Sequence, residues 1–406
     1  MPFAASQRSV LIVLFLVLSV GAALRILPSA AFRGTGFDEA LYVSYVKTLD
    51  REGLAAYPEI CEAYIQKQIA LPSAILPPTR FLYILCGWLW HKVSGHEPQT
   101  ALRNVSCFFA IASLLIATVF AWRVGGKETA FGVAVLMAFA PTQIHMAQHA
   151  LIDGVFGAVA LTCLWLLWEN LKHPGHKGWL AAYLTMLAMM VTTKENAFFA
   201  FFALSIVLAG NRWLRFGQAP RALWIAHFLG PILGMVTLFL LAGGPDQFFT
   251  IYQLLYAKAN NLPYAIQNCD GPWHRYLVDL LLVSPLVTVL AIGGFVALRK
   301  SNLPGLFLGL FLTASFLPMV NVQYAMNLRY ANMWDMPLRF LAVQQLIALA
   351  ALAGKKSHLV LAIGLVVIAA NEWRQYVVLF VEHPLYELVS EGLLRAQDIV
   401  KSPIRR

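Results

Sequence analysis

Residues 105–122 read VSCFFAIASLLIATVFAW, and the polar turn Arg123-Val124-Gly125-Gly126-Lys127 follows at once. The apolar run carries no charge. As a helix it would extend about 27 Å, close to the roughly 30 Å thickness of membrane hydrocarbon. The basic turn then allows the chain to reverse into a second apolar stretch at residues 129–145. This pattern predicts a pair of membrane-spanning helices.

The same apolar character extends over the whole chain. Of its 406 residues, 59% are apolar and 12% are charged, against roughly 45–50% and about 25% in soluble proteins. The mean hydropathy is +0.67. A soluble fold has too little interior to bury so much apolar surface, so lipid must cover part of it. The composition therefore excludes a soluble enzyme, a disordered scaffold and a secreted disulfide-rich domain.

We predict an all-α bundle of about eleven membrane-spanning helices. Their apolar stretches lie at residues 10–27, 105–122, 129–145, 154–168, 179–193, 197–210, 222–241, 277–298, 303–320, 338–354 and 359–370. The expected organisation is one membrane domain at residues 1–372, with a large first extracytoplasmic loop at residues 28–103, and a C-terminal tail at residues 373–406.

Arginine and lysine predict the orientation of the bundle. With a cytoplasmic N-terminus, most basic turns fall inside, as is usual for membrane proteins. The asymmetry requires that residues 81–90 form an interfacial helix and do not cross the membrane. Residues 10–27 fit an uncleaved signal anchor better than the alternative, a cleaved signal peptide. We therefore expect a multi-pass protein of a bacterial-type inner membrane. Its net charge of +10 fits anionic membrane lipids and not nucleic acid.

Ionisable residues collect in five of the predicted outer connections. Such groups are costly near lipid, so their grouping indicates a site for a charged lipid head group and a polar acceptor. Each group also has a simpler interpretation, such as a helix cap, a local ion pair or an aromatic belt residue. The groups are Asp38-Glu39-Ala40-Leu41-Tyr42, Gln148-His149 with Asp153, Lys194-Glu195, Trp273-His274-Arg275 and Arg329-Tyr330.

In this order, the motifs resemble the GT-C superfamily of polyprenyl-phosphate-dependent glycosyltransferases. The resemblance is greatest to bacterial relatives of protein O-mannosyltransferases and of the lipid A aminoarabinose transferase. The matching positions are Asp38-Glu39, Pro77-Pro78, Gly95, Arg103, Gly125-Gly126-Lys127, Pro141, Asp153, Thr193-Lys194, Gly271-Pro272-Trp273 and Arg329-Tyr330. The chain departs from the family at Leu76, where a basic residue often precedes the proline pair, and at Gln148-His149, where an arginine is common.

The resemblance implies a GT-C-like fold and the transfer of a sugar from a polyprenyl phosphate to a protein or lipid acceptor on the extracytoplasmic face. It implies that Asp38 is the general base, with Glu39 as the alternative base, and that Asp153 orients the acceptor or holds a cation. A leaving phosphate needs cations. The candidates are Lys194, Arg329, Arg275, Arg80 and Arg103. The expected pocket residues are Tyr42, His149, Glu195, Trp273 and Tyr330.

One base and no evident second nucleophile predict a single inverting displacement. We expect no cofactor, because no tight cluster of acids accompanies Asp153. If a divalent metal is used, Asp38, His149 and Asp153 are its expected ligands. Cys61 and Cys269 fall on the same predicted outer side, which permits a disulfide between them.

Two other classes of protein compete with the glycosyltransferase. A membrane transporter or lipid flippase should carry its ionisable residues near the middle of the bilayer, often in two related halves. A membrane partner without catalytic activity would tolerate replacement of Asp38. The clustering of charge at one predicted interface favours the enzyme.

Overall fold

The computed structural model describes residues 7–27, 36–322 and 326–400, and all regular elements in these ranges are helical. The first part of the chain forms α1 (Gln7–Ile26), α2 (Phe37–Glu52), α3 (Tyr57–Ala70), α4 (Phe81–Ser94), α5 (Pro98–Ala138), α6 (Pro141–Ala147), α7 (Asp153–Lys172), α8 (Lys177–Val191) and α9 (Ala197–Leu214).

The second part forms α10 (Arg221–Ala242), α11 (Pro245–Ala259), α12 (Pro263–Asn268), α13 (Arg275–Val283), α14 (Pro285–Val296), α15 (Leu303–Met319), α16 (Asp335–Ala351), α17 (Ser357–Tyr376) and α18 (Ser390–Ala396). Short 3-10 helices lie at Leu54–Ala56, Leu328–Trp334 and Gly354–Lys356, and a π-helical turn lies at Val377–Glu382.

The predicted all-α membrane fold is confirmed. By length and apolar composition, the described residues contain five helices that could cross a membrane: Pro98–Ala138, Asp153–Lys172, Ala197–Leu214, Arg221–Ala242 and Gly354–Glu382. Shorter apolar helices lie at Leu11–Ile26, Lys177–Val191, Pro285–Val296 and Leu303–Met319. The count of about eleven crossings stays a prediction.

Two predicted spans are not continuous helices, and a proline causes each break. The stretch at residues 129–145 is divided where α5 ends and Pro141 begins α6. The stretch at residues 277–298 is divided at Ser284, which has non-helical backbone angles and precedes Pro285. Proline lacks an N–H and disfavours helical geometry at the residue before it.

The predicted glycine turn lies inside α5. Gly126 has φ 78° and ψ −173°, which interrupts the helical geometry between residues 98–125 and 127–138. Residues other than glycine rarely adopt this φ. Arg25 then ties α1 to the end of α5, because its guanidinium donates to the oxygens of Met137 at 2.8 Å and Ala138 at 3.2 Å. It thereby satisfies carbonyls that a helix end leaves without partners.

The large first loop forms a separate apolar cluster beside the main core. Helices α2, α3 and α4 bury Tyr42, Val46 and Tyr57 in it, together with Phe248 of α11. Helix α4 is 14 residues long. At about 21 Å it is too short to cross the hydrocarbon, which agrees with an interfacial position. The loop therefore packs as a cap above one end of the bundle.

The C-terminal segment also packs against the bundle. Helix α17 passes the expected end of the membrane domain at residue 372 and continues through the π-helical turn. Leu388 and Leu393 are fully buried in the main core. In this segment α18 packs against α13 and against the turn at Val377–Glu382. Tyr386 lies against Gly36 of the first loop.

Candidate active site

Arg329 is the centre of a group of carboxylates from distant parts of the chain. Its guanidinium lies 2.9 Å from Asp38 Oδ2, 3.1 Å from Glu387 Oε1 and 3.5 Å from Asp153 Oδ2. The Arg329 side chain is only 3% exposed. A buried arginine requires such partners, because an unpaired charge away from water is costly.

Lys194 extends the group on the other side of Asp153. Its Nζ donates to Asp153 Oδ1 at 2.5 Å and lies 3.9 Å from the ring centre of Tyr330. Burial lowers the pKa of Lys194, while Asp153 opposes that shift. A continuous line of opposite charges thus joins Lys194, Asp153, Arg329 and Asp38.

Local structure places these residues. Asp38 and Asp153 lie in the first turns of α2 and α7, where the helix dipole favours a negative charge. Lys194 lies in the short connection between α8 and α9, and Arg329 lies in the 3-10 helix before α16. Four separate helix ends therefore meet at one level of the bundle.

A second ion pair lies next to Lys194. Arg80 donates through Nη2 to Glu195 Oε2 and through Nη1 to the hydroxyl of Tyr42, both at 2.7 Å. Although burial opposes ionisation of Glu195, Arg80 holds the pKa of this carboxyl below its ordinary value. At Leu76 the sequence departs from the GT-C pattern that it resembles, but Arg80 still brings a cation into the site.

Glu39 and His149 form a third pair, in which the histidine is uncharged at neutral pH. Nδ1 of His149 lies 2.9 Å from Glu39 Oε1. Burial raises the pKa of Glu39 to about 7. Burial, aided by the charges of Arg329 and Arg103, lowers the pKa of His149 to about 3. The contact is therefore a hydrogen bond from a neutral imidazole and not a full ion pair.

A cavity of about 150 Å³ opens beside Lys194. One part of its wall is polar and carries Arg80, Lys194 and Glu195. The remaining wall is mostly aromatic or apolar and includes Asn196, Phe199, Tyr276, Met319, Val322 and Tyr330. The cavity can therefore hold an anionic group that is attached to an apolar chain.

A buried polar network supports the segment that carries Arg329. Asn332, in the same 3-10 helix, donates to the backbone oxygen of Asp153 at 3.0 Å and accepts from Gln143. Gln143 also donates to Asp335 at 2.6 Å, and Asp335 pairs with Arg339 at 2.7 Å. The network joins α6, α7 and α16 and lies next to the line of charges that includes Asp153 and Arg329.

The structure does not bring every predicted residue into this site. Arg275 donates to the backbone oxygens of Asn268 and Asp270, so it secures the end of α12 and not the cavity. Trp273 is 61% exposed and contacts His274. Arg103 is half-buried near His149, away from the contacts of Lys194. The predictions that Arg275 binds phosphate and that Trp273 lines the pocket do not agree with this geometry.

Sequence reasoning missed two site residues on the segment after α17. Glu387 pairs with Arg329, and the Tyr386 ring centre lies 5.5 Å from the guanidinium carbon. His145 lies 3.1 Å from the backbone oxygen of Tyr386, which fixes the segment against α6. A signal for them existed, because eleven spans from a cytoplasmic N-terminus place residues after 370 on the outer side.

The alternative metal ligands do not form a cluster. Asp38 and Asp153 both face Arg329, and His149 faces Glu39. Within residues 7–27, 36–322 and 326–400, no group of three or more histidine, cysteine, aspartate or glutamate side chains could hold a metal ion. Cys61 and Cys269 are free, so the permitted disulfide is not formed.

Comparison with known proteins agrees with this geometry. Residues 88–242 match the family model described as dolichyl-phosphate-mannose-protein mannosyltransferase. No protein of curated function matches the chain in sequence. The fold is similar to that of ArnT from Cupriavidus metallidurans, with a TM-score of 0.56 and 15% identity over 97% of this chain and 73% of ArnT. The family model covers 155 of the 406 residues, and the chain has a GT-C fold like that of the membrane glycosyltransferase ArnT.

Another GT-C structure extends the comparison. The oligosaccharyltransferase of Archaeoglobus fulgidus has a TM-score of 0.62 and 12% identity, over 91% of this chain and 56% of its own. Structures of the two neighbours have been solved with undecaprenyl phosphate for ArnT, and with an inhibitory peptide and a dolichol-phosphate for the archaeal enzyme. At these identities the similarity establishes the fold alone.

Proposed function

We propose that this GT-C protein transfers a sugar from a polyprenyl phosphate to an acceptor at the extracytoplasmic face of a bacterial-type inner membrane. The observation that carries the proposal is the cavity beside Lys194, where two cations meet an apolar wall. This combination suits a phosphate attached to an isoprenoid chain. The solved complexes of ArnT and of the archaeal enzyme contain lipids of the same chemical class.

Lys194 and Arg80 are the proposed ligands of the donor phosphate. Arginine presents a planar pair of donors to phosphate oxygens, and lysine supplies a compact charge. Both residues line the cavity. Their positive charge would stabilise the lipid phosphate as its negative charge grows during departure. Glu195 and Tyr42 hold Arg80 in place for this role.

Asp38 is the proposed general base. Its side chain is 21% exposed, whereas that of Asp153 is 1% exposed and lies between Lys194 and Arg329. In the proposed reaction, Asp38 accepts the proton of the acceptor nucleophile, the nucleophile bonds to the anomeric carbon, and the bond from that carbon to the phosphate oxygen breaks. The electron pair leaves with the polyprenyl phosphate. One such displacement inverts the anomeric carbon.

The acceptor is a protein or a lipid that carries a nucleophilic group. Charged residues from the predicted outer connections meet at one site, which supports a single active face. We prefer the transferase to a transporter or flippase, because Arg80 and Lys194 line a cavity that also has an apolar wall.

The test is turnover of a labelled donor by the purified full-length chain in lipid nanodiscs. The chain is supplied with a polyprenyl-phosphate-linked sugar and with either a peptide or a glycolipid acceptor. We expect release of polyprenyl phosphate together with label in one acceptor. Mass spectrometry of lipids that co-purify with the chain provides an independent measure. Absence of both donor binding and turnover would contradict the proposal.

A further inference from the structure

The charges of the site are unfavourable for an incoming anion. Two neighbouring sets of ion pairs contain the cations Arg80, Lys194 and Arg329, and the carboxylates Asp38, Asp153, Glu195 and Glu387. With all groups ionised, the carboxylates outnumber the cations by one. A phosphate that enters this group must either meet uncompensated negative charge or replace one carboxylate.

Arg329 is also separated from the cavity. It is absent from the cavity wall, which its neighbour Tyr330 helps to form. Residues 383–389, which we name the strap, cover the guanidinium with Tyr386 and Glu387. For Arg329 to contact a donor, part of this cover has to move.

Glu387 is the carboxylate that can leave most easily. Asp153 is fully buried between Lys194 and Arg329, and Glu195 receives two nitrogens of Arg80. Asp38 is held by the first turn of a helix. Glu387 lies on the strap, its side chain is 23% exposed, and besides Arg329 it accepts a hydrogen bond from Asn327.

The backbone hydrogen bonds of the strap lie towards its ends. His383 and Leu385 donate to the oxygens of Val378 and Leu379, and Leu328 and Leu393 donate to the oxygens of Leu388 and Val389. Between them, Tyr386 and Glu387 make no backbone–backbone hydrogen bond among the described residues, and His145 Nε2 lies 3.1 Å from the Tyr386 oxygen. Tyr386 packs so closely over Gly36 that an added Cβ at Gly36 would lie 2.2 Å from its ring. The buried Tyr386 hydroxyl has no hydrogen-bond partner among the described residues. Tyr386 therefore fits closely against Gly36, while its buried hydroxyl makes no hydrogen bond to the described residues.

We propose that Glu387 is an internal counter-ion of the donor site, which holds Arg329 in the free enzyme and is displaced when the donor phosphate binds. Arg329 then exchanges this carboxylate for a phosphate oxygen, and the middle of the strap, at Tyr386 and Glu387, moves outward while Leu388 stays in the main core. This inference rests on the proposed function, because it assumes a polyprenyl phosphate as ligand. It makes Glu387 a residue that sets the affinity for the anionic lipid.

Binding of undecaprenyl phosphate to the full-length chain in nanodiscs tests the inference. Glu387→Gln keeps an oxygen that can accept from Arg329 and Asn327 but removes the competing charge. We expect its Kd to be about tenfold lower than that of the unmodified chain, a change of about 1.4 kcal/mol. Glu391→Gln is the matched control, because Glu391 pairs with Arg395 on α18 outside the site. Its Kd should be unchanged.

An unchanged or higher Kd for Glu387→Gln would refute the counter-ion role and leave the proposed function intact. Failure of the unmodified chain to bind the lipid would refute both. Hydrogen exchange of the unmodified chain supplies a second test that needs no variant. Addition of undecaprenyl phosphate should increase exchange at residues 383–389. Greater protection there would show that the strap closes on the ligand and would overturn the inference.

Discussion

Arg329 donates to Asp38 at 2.9 Å across 291 residues of intervening chain. The contact joins the 3-10 helix before α16 to the first turn of α2, so the acid proposed as base lies beside a cation of the donor site. Such proximity is required if one group is to activate the acceptor while another stabilises the departing phosphate.

Replacement of Asp38 should reduce sugar transfer and leave the folding of the protein largely unchanged. Asp38→Asn retains an oxygen for Arg329 but cannot accept the acceptor proton. We expect transfer to fall by about 10²–10⁴-fold, the usual contribution of a general base. The thermal midpoint in detergent should change little. The measurements are label transfer from the donor and the unfolding temperature of each purified protein.

Asp50→Asn is the control for this substitution. Asp50 lies on the same helix but pairs with Lys92, away from Arg329. It should retain normal transfer. Transfer by Asp38→Asn at the normal rate would remove Asp38 as the base.

The pair of Lys194 and Asp153 predicts a coupled effect on stability. Lys194→Met leaves Asp153 buried with Arg329 at 3.5 Å as its remaining ionic partner. Removal of one member of a buried ion pair costs about 3–5 kcal/mol. Asp153→Asn in the same chain should recover part of that loss, because the unpaired charge is then gone. Thermal unfolding of both single variants and the double variant measures the coupling.

Lys67→Met provides the control, because Lys67 is exposed on α3. It should leave the unfolding temperature unchanged. A double variant no more stable than Lys194→Met alone would argue against an important interaction between the two side chains.

The meeting of Asp38 and Arg329 could be predicted from the sequence because the predicted topology places both residues on one side of the membrane. Lipid penalises charge strongly, so the few ionisable groups near it concentrate where water or a partner is available. The order of the motifs then indicated the superfamily. These inferences required the side of the membrane on which each loop lies, but not the rotation of each helix about its own axis.

Whether Arg275 or Tyr276 faces the cavity depends on the rotation of the helix that carries them. Adjacent residues of a helix point about 100° apart, so which one faces a cavity depends on where the helix begins. Helix α13 begins at Arg275, and Tyr276 faces the cavity. Glu387 was missed for another reason. The sequence predicts only a tail after residue 372, although the predicted topology places this segment on the outer side.

Gly157 offers a test of the support beneath Arg329. A Cβ at this position would lie 2.7 Å from the amide nitrogen of Asn332. Gly157→Ala should push Asn332 away from the oxygen of Asp153 and displace the Arg329 segment. We expect a loss of about 1–3 kcal/mol in stability, together with reduced transfer.

Gly154→Ala is a matched control on the same helix. A Cβ there would meet its nearest neighbours at 3.8 Å and 3.9 Å, which is ordinary contact. This variant should keep its stability and activity. Equal effects of the two alanines would attribute the loss to helix α7 itself and not to Asn332.

The orientation of the bundle can be tested at the turn before α17. Lys356 is exposed there and falls on the predicted cytoplasmic side. A membrane-impermeant thiol reagent should label Lys356→Cys in inverted vesicles but not in intact cells. The unmodified chain is the control, because its five cysteines are buried or half-buried. Labelling from outside would reverse the predicted topology and the assignment of the active face.

The raised pKa of Glu39 predicts a stability that declines with pH. Its pKa is about 7 in the folded protein, against an ordinary value of 4.5. Between these values the unfolded chain releases the proton that the folded chain keeps. Stability contributed by this group is therefore complete below about pH 4.5 and is lost by about pH 7.

Glu39→Gln should remove this dependence while it retains an oxygen for His149. We expect the variant to gain about 2–3 kcal/mol relative to the unmodified chain between pH 5 and pH 8. His149 is present in both proteins, so its own titration largely cancels from the difference. Unfolding temperatures at the two pH values provide the measurement, with Glu52→Gln at the exposed end of α2 as control. An equal pH dependence of Glu39→Gln and the unmodified chain would mean that the pKa of Glu39 is not raised in the folded protein.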